Sequence, residues 1–490
     1  MKKKELLSLF LLITLILIII MDGYLILPNQ VIIAADLNIY FDAIGILIGL
    51  YIIVTGISVI FFGYLTDKIK RKQLLVFAGF LWSIVAILHI IALDFWILLV
   101  LRILAAIATG VTTPLTISYL ADIVSSKSRA KTFAVWSLFS TLASLVGGII
   151  ALTFNKIPFG RIDTESESIR ENINFIKINF PNLLNTWRYP FVILGILALI
   201  ITILNLLITI EPKRGAKDKY FEGLLSDDDY RYTYKIKLKD LRFIFKRKSN
   251  LFLIINLFDV VASGLLVAFI FPYFELELGI NPSNIFTLVV LLLIILPLGL
   301  LIGQFGLAHW GDKKVQRGDL SGRVKVATIC SILALPFLLL AFSMSPNVST
   351  KTFFFGGVSV NKIGFWSLWI IFSSLLGVGL AFTFGIAPNW YSSLIDLNLP
   401  EHRGTMVAMG SFVDTIGRAL GTIIGGFMIT LTGNFSSTIF WSTLIFGIIS
   451  IFFWIPLFFT GKKDFLEVDE ILRKRSAEMN TGKLGKQNDI

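Results

Sequence analysis

Gly63-Tyr64-Leu65-Thr66-Asp67-Lys68-Ile69-Lys70-Arg71-Lys72 places one acid and then four bases in a turn between two long apolar runs. A second stretch, Ala308-His309-Trp310-Gly311-Asp312-Lys313-Lys314, follows the second apolar run of the other half of the chain. Each is too short to be a domain. A duplicated acid–base turn between apolar runs predicts two similar bundles of membrane-spanning helices rather than a soluble enzyme.

The surrounding sequence supports that reading. The chain has 490 residues, 56% hydrophobic and only 16% charged, with a mean hydropathy of +0.81. A soluble domain carries about a quarter charged residues. Runs of 18 or more apolar residues, long enough to cross a bilayer core, recur over 5–34, 43–65, 73–92, 96–121, 132–154, 188–210, 251–276, 285–310, 324–345, 363–387, 404–432 and 436–460. A lone segment in lipid must satisfy its own backbone hydrogen bonds, so these twelve are predicted helices. The first is too long for a signal-peptide core and lacks a small-residue cleavage site, so it reads as a retained span. The one cysteine, Cys330, excludes a disulfide framework.

The net charge of +12 does not point to nucleic acid. With both termini inside, all but nine of the 44 Lys and Arg residues fall in inner segments. Seven lie outside, and Arg102 and Arg418 lie within spans. This positive-inside bias sets orientation and favours anionic headgroups. It predicts a multi-pass protein of the plasma membrane, in contact with membrane lipids and monomeric.

The expected organisation is an N-terminal six-helix bundle over 1–210, an inner central loop over 211–250, a C-terminal six-helix bundle over 251–460 and an inner, disordered polar tail over 461–490. Within the central loop, Leu238, Leu241 and Phe245 have helical spacing among basic residues. That fits either an amphipathic helix on the inner leaflet or a loose tether. The halves repeat each other. Asp67 and Asp312 are 245 residues apart; Asp122 and Asp396, like Arg129 and Arg403, are 274 apart. Leu37-Asn38-Ile39 and Leu278-Gly279-Ile280, 241 apart, mark the first outer turn of each half. Duplicated six-span halves are the architecture that rocks about a midplane site.

Ionisable residues inside spans are candidate functional groups because lipid makes them costly. Asp22 lies well inside the first span, as a proton site or as a neutral acid bonded to a neighbouring helix. Asp259 is its counterpart in the seventh span, offset by about one helical turn. Arg102 pairs with Asp22 or Asp94, binds an anionic headgroup, or snorkels to the interface. Asp414 and Arg418 are spaced i, i+4 on one face of the eleventh span and neutralise each other. His89 reads as a packed histidine. Pro28, Pro272 and Pro297 are expected to kink spans. Gly147, Gly148, Gly421, Gly425 and Gly426 permit close helix contact. No metal-ligand cluster and no Gly-x-x-x-x-Gly-Lys-Ser/Thr loop is present, which argues against a membrane-embedded enzyme and an ATP-driven pump. No cofactor is implied.

Gly63, Leu65, Thr66, Asp67, Arg71 and Lys72 resemble the signature loop of the major facilitator superfamily, and the resemblance covers about 5–460. Lys70 stands where that family usually has glycine. Met21-Asp22, Phe62–Asp67, Trp82-Ser83, Ala121-Asp122, Ser128-Arg129 and Glu211–Ala216 are similar to the spinster-like lysolipid and sphingolipid transporters within it. Gly23 and Gly110 depart from that group's arginine and glutamate. The resemblance implies that the first and seventh spans face each other. It also implies that Asp67 approaches the start of the eleventh span beside Arg403 and Gly404, that Asp312 approaches the fifth beside Arg129, and that Lys68, Arg71 and Lys72 pair with Asp122. It implies a secondary active, proton-coupled carrier of a small, lipid-like molecule. A proton-coupled drug or metabolite exporter and a non-transporting receptor of the same shape are the alternatives.

Overall fold

The computed structural model describes residues 3–123, 129–157, 169–211, 246–280, 295–348, 351–355, 358–360, 365–398 and 400–480. Its helices are α1 (Lys3–Leu25), α2 (Gln30–Leu37), α3 (Phe41–Lys68), α4 (Arg71–Leu88), α5 (Phe95–Ile123), α6 (Arg129–Phe154), α7 (Ile169–Asn179), α8 (Tyr189–Ile208), α9 (Lys248–Ile255), α10 (Phe258–Pro272), α11 (Leu296–Leu301), α12 (Ala308–Gln316), α13 (Gly322–Phe342), α14 (Phe365–Asp396), α15 (Pro400–Thr432) and α16 (Phe435–Asn480). Among the described residues, ten helices are long and apolar enough to cross a membrane. The predicted fifth span, 132–154, lies within α6, Arg129–Phe154. The first part of the predicted eighth span, 285–294, lies outside the described residues, as does the amphipathic stretch 235–245. The architecture is helical apart from a three-stranded antiparallel meander, Met344–Asn347, Thr352–Phe355 and Val358–Val360, after α13.

Two compact units make up the chain. The first comprises Met1–Thr233, Ala268–Ser283 and Thr422–Asn434; the second comprises Tyr234–Val267, Asn284–Gly421 and Phe435–Ile490. In the first, α1 packs on α6 and α8, α3 on α5, and α4 on both α5 and α8. Trp82, Trp187, Phe191 and Tyr119 are fully buried in it, while Ile57, Ile60, Phe61 and Leu207 lie on its surface. An apolar surface is what a helix bundle solvated by lipid presents. The first span does not run unbroken to residue 34. At Pro28 it tightens into a 3-10 turn, Leu27–Asn29, before α2 begins. Proline has no N–H for the helical ladder, so the break is local chemistry.

The outer-turn repeat read from sequence has a conformational basis. Asn38 ends α2 at φ 54°, and Gly279 ends its own segment at φ 61°. Glycine and asparagine are the residues that enter the left-handed region at least cost. Between α6 and α8 the chain forms α7 and the 3-10 segment Pro181–Arg188. It is fastened to α2: Arg188 Nη1 meets Asp36 Oδ2 at 2.6 Å, and Trp187 Nε1 donates to the same oxygen at 2.9 Å.

In the second unit α13 packs between α14 and α16, and α9 lies against α16. Leu253, Trp390, Trp454, Cys330 and Leu457 form its core. The tail expectation fails over 461–480, because α16 continues to Asn480. Its inner part is amphipathic rather than merely polar. Phe465 and Val468 are buried, and Asp464 Oδ2 accepts the Ser249 N–H at 3.0 Å at the start of α9. Pro297 lies in α11 next to 281–294, which are outside the described residues, so the kink expected there falls partly outside them. Asp464→Ala is expected to lower stability by about 1 kcal/mol, the usual cost of losing a helix-capping acceptor. Thermal unfolding in detergent reads this, and an unchanged midpoint would mean the tail does not hold α9.

Candidate functional site

Asp22 lies in the last turns of α1, and Arg102 lies in the second turn of α5. Residues eighty positions apart meet here. Arg102 Nη1 donates to Asp22 Oδ1 at 2.9 Å, and the two residues are 2% and 0% exposed. The guanidinium sits 4.2 Å above the Tyr51 ring, and the Tyr51 hydroxyl is 3.0 Å from Thr109 Oγ1. His89 stacks on Phe191 with ring centroids 4.3 Å apart, and its Nδ1 is 2.8 Å from the Val85 carbonyl. Arg102 therefore neither snorkels nor pairs with Asp94. Asp94 Oδ1 instead accepts the Trp96 and Ile97 N–H groups at the start of α5.

The departures at Gly23 and Gly110 differ physically. A Cβ on Gly110 would overlap Ser58 of α3, so α3 and α5 leave no room for any side chain there. A Cβ on Gly23 would meet only the Tyr51 ring, at 3.8 Å. Gly147 lies against Met21 backbone, whereas Gly148 faces open space.

The second unit holds the other intramembrane charges. The seventh span breaks between α9 and α10 at Asn256-Leu257, and Asp259 follows in the first turn of α10. Both side-chain polar atoms of Asn256 are buried without a hydrogen-bond partner among the described residues. Gly264 and Gly421 let α10 and α15 cross closely, against Arg418 and Val261 backbone respectively. This brings Asp414 and Arg418 within Coulombic reach of Asp259. The i, i+4 pair forms as expected, with Arg418 Nη2 2.9 Å from Asp414 Oδ2. Asp259 lines a cavity of about 50 Å³. Ser263, Ser331, Thr383, Thr443 and Ser450 add hydroxyls to one part of the wall, and Leu266, Leu335, Leu338 and Ile386 supply aliphatic surface. Asp259 Oδ1 and Ser450 Oγ have no hydrogen-bond partner among the described residues. A break in a span beside an acid is where backbone and side chain are free to bind a solute.

The signature loops are anchored by residues that sequence reasoning did not assign. In the first, Glu211 accepts the Arg71 and Lys72 N–H groups at 3.0 and 2.8 Å. These are two of the orphan donors at the start of α4, and a carboxylate there also suits the helix dipole. Arg71 Nε donates to Ser118 Oγ at 2.6 Å, Thr66 Oγ1 to the Gly63 carbonyl, and Lys68 lies over the Tyr64 ring. In the second, Arg323 of α13 donates through Nε and Nη2 to Asp312 Oδ1 at 2.9 and 2.7 Å, and through Nη1 to Asp396. Asp312 is thus engaged within its own unit. Asp396 shares the same guanidinium. The side chains of Asp67, Asp122, Arg129 and Arg403 lie outside the described residues. Helix α15 begins at Pro400, so Arg403 lies inside its first turn rather than before it.

A family model described as Major Facilitator Superfamily matches residues 12–360. A stretch of 120 residues, 24% of the chain, is 30% identical to a probable sugar efflux transporter of Helicobacter acinonychis (strain Sheeba) and spans 28% of that relative's length. The fold is similar to the crystal structure of a bacterial homolog of the human lysosomal transporter Spinster in an inward-facing, unoccupied conformation. The TM-score is 0.67 at 18% identity, over 96% of this chain and 99% of that one. It is also similar to the nucleoside transporter NupG, with a TM-score of 0.59 at 15% identity over 92% of this chain and 99% of that one.

Arg102→Met strands Asp22 in a buried place, and removing one partner of a buried pair costs about 3–5 kcal/mol. Adding Asp22→Asn should recover most of that loss. Unfolding midpoints of the single and double variants check this; a double variant no more stable than Arg102→Met would show that the pair is not the source.

Proposed function

The chain belongs to the major facilitator superfamily and is a membrane transporter of that family, and from that premise we propose a secondary active carrier that couples proton movement to its cargo. The observation that carries the reading is a pair of intramembrane carboxylate centres, one in each unit: Asp22 bound to Arg102, and Asp259 beside Asp414 and Arg418. Charges at such depth are costly, and in carriers they mark ion and substrate paths. The two centres differ in kind. Asp22 bonds a guanidinium directly through Oδ1, with Oδ2 buried and without a hydrogen-bond partner among the described residues, so its charge state controls whether Arg102 stays neutralised. Asp259 keeps a buried oxygen without a partner on the wall of a cavity.

That wall suits an amphipathic cargo. A hydroxyl or amine of a cargo head suits Asp259 and the serine and threonine hydroxyls, and the aliphatic side chains suit adjoining apolar carbons; the cavity of about 50 Å³ must widen to admit more than such a group. A lipid-like cargo agrees with this chemistry and with the fold shared with the Spinster homolog. A sugar is the second reading, favoured by the named relative and by the five hydroxyl side chains.

A thermal-shift screen of the purified protein against lysolipids, sugars, nucleosides and cationic drugs separates these cargoes, since a ligand that binds the native state raises the midpoint. Flux in proteoliposomes with and without a pH gradient then tests the coupling. Asp22→Asn is expected to abolish the dependence of flux on the gradient. If the variant responds to the gradient as wild type does, Asp22 does not carry the coupled proton.

A further inference from the structure

Segment Ala268–Ser283 of the seventh span belongs to the first unit, and it brings a carboxylate that neither intramembrane centre includes. Glu275 lies in the π-helical turn Tyr273–Glu277 that follows Pro272. It is 5% exposed. Its Oε1 accepts from Asn155 Nδ2 at 3.1 Å, and the same amide donates to the Pro28 carbonyl at 2.9 Å. Its Oε2 is buried and has no hydrogen-bond partner among the described residues. The segment is fastened nearby as well. Gln30 Nε2 donates to the Ala268 carbonyl at 2.5 Å, and Phe269 meets Phe41 edge-on.

Among the described residues, the surroundings of Glu275 hold acceptors and lack a counter-ion. On its own turn stand Tyr273 and Glu277. On α2 the titratable group is Asp36, already taken by Arg188 and Trp187. On α3 it is Asp42, whose N–H donates to Thr430 Oγ1. The bases of α6, Arg129 and Lys131, stand at the far end of that helix, and Lys156 beyond it is exposed. Beside Pro28, Asn29 Oδ1 and Gln30 Oε1 are buried acceptors that also lack a donor among the described residues. An ionised carboxylate adds one more acceptor to this place and a charge that nothing neutralises. A proton on Oε2 removes the charge and makes that oxygen a donor.

We propose that Glu275 is a proton-binding site whose neutral, hydrogen-bonded form docks segment Ala268–Ser283 on the first unit. Binding forms an O–H bond on Oε2 with a proton taken from water; release returns that proton to water and leaves a carboxylate that is stable only when hydrated. Ionisation therefore loosens the segment, and docking requires protonation. The inference rests on the carrier reading only in making this step part of a transport cycle.

The full-length protein in lipid nanodiscs tests it by two readouts. Infrared difference spectra between acid and alkaline pH should contain a protonated-carboxyl C=O band that Glu275→Gln removes. Asn155→Leu, which deletes the amide donor and keeps the carboxyl, should shift that band; this second variant serves if the first folds poorly. Spin labels at Ile178→Cys on α7, exposed, and Ile270→Cys on the segment itself, partly exposed, should show a narrow distance population that falls as pH rises in wild type. In Glu275→Gln that population should persist at every pH. A band untouched by both substitutions, or a pH response shared by wild type and Glu275→Gln, overturns the proposal. A protein that passes both readouts yet moves none of the screened solutes supports the proton site and overturns the carrier reading instead.

Discussion

Hydrocarbon offers a charged or hydrogen-bonding group nothing to bond with, and this one constraint organises the protein from its backbone to its sites. It makes the spans helical, so that each segment satisfies its own amides. It then dictates how the exceptions are built. Asp22 is tolerated at 0% exposure because Arg102 bonds to it and Tyr51 covers the guanidinium face. Where a span leaves the helical ladder, at Pro28, at Asn256 or after Pro272, the break is buried in protein rather than bathed in lipid.

The same constraint separates polar groups whose hydrogen bonds are saturated from those left with an unmet atom. Asn205 is fully buried, yet its amide donates to the Leu11 and Ile201 carbonyls and its oxygen accepts from Thr209. Asn250 and Asn398 exchange a reciprocal pair of amide hydrogen bonds. Such groups are saturated and fix helix packing. Asp259 and Glu275 each keep a buried oxygen without a partner among the described residues. Leaving a buried acceptor unmet costs about 1–3 kcal/mol.

The two halves share a pattern but not a wiring. Asn38 and Gly279 take the same left-handed turn at matching places, so the duplication is visible in backbone angles. The signature loops diverge. One is tied by a carboxylate, Glu211, to the peptide N–H groups that open α4. The other is tied by a guanidinium, Arg323, to two carboxylates.

Hydropathy and residue period determined the spans, the duplicated halves and the outer turns, because each depends on neighbours within a few residues. The i, i+4 pair of Asp414 and Arg418 was legible for the same reason. Arg102 against Asp22 could be named as one of several pairings, since charge in a span must be met by something, but spacing could not select it. Only the tertiary structure decided that Asp94 caps a helix instead, that Gly110 has no room for a side chain, that Phe465 and Val468 make the tail part of the core, and that Arg323, Glu211 and Asn155 are the partners of residues 11 to 140 positions away. A buried carboxylate specifies that it needs a donor; which donor arrives is set by how the helices pack, and the order of residues along the chain does not contain that distance.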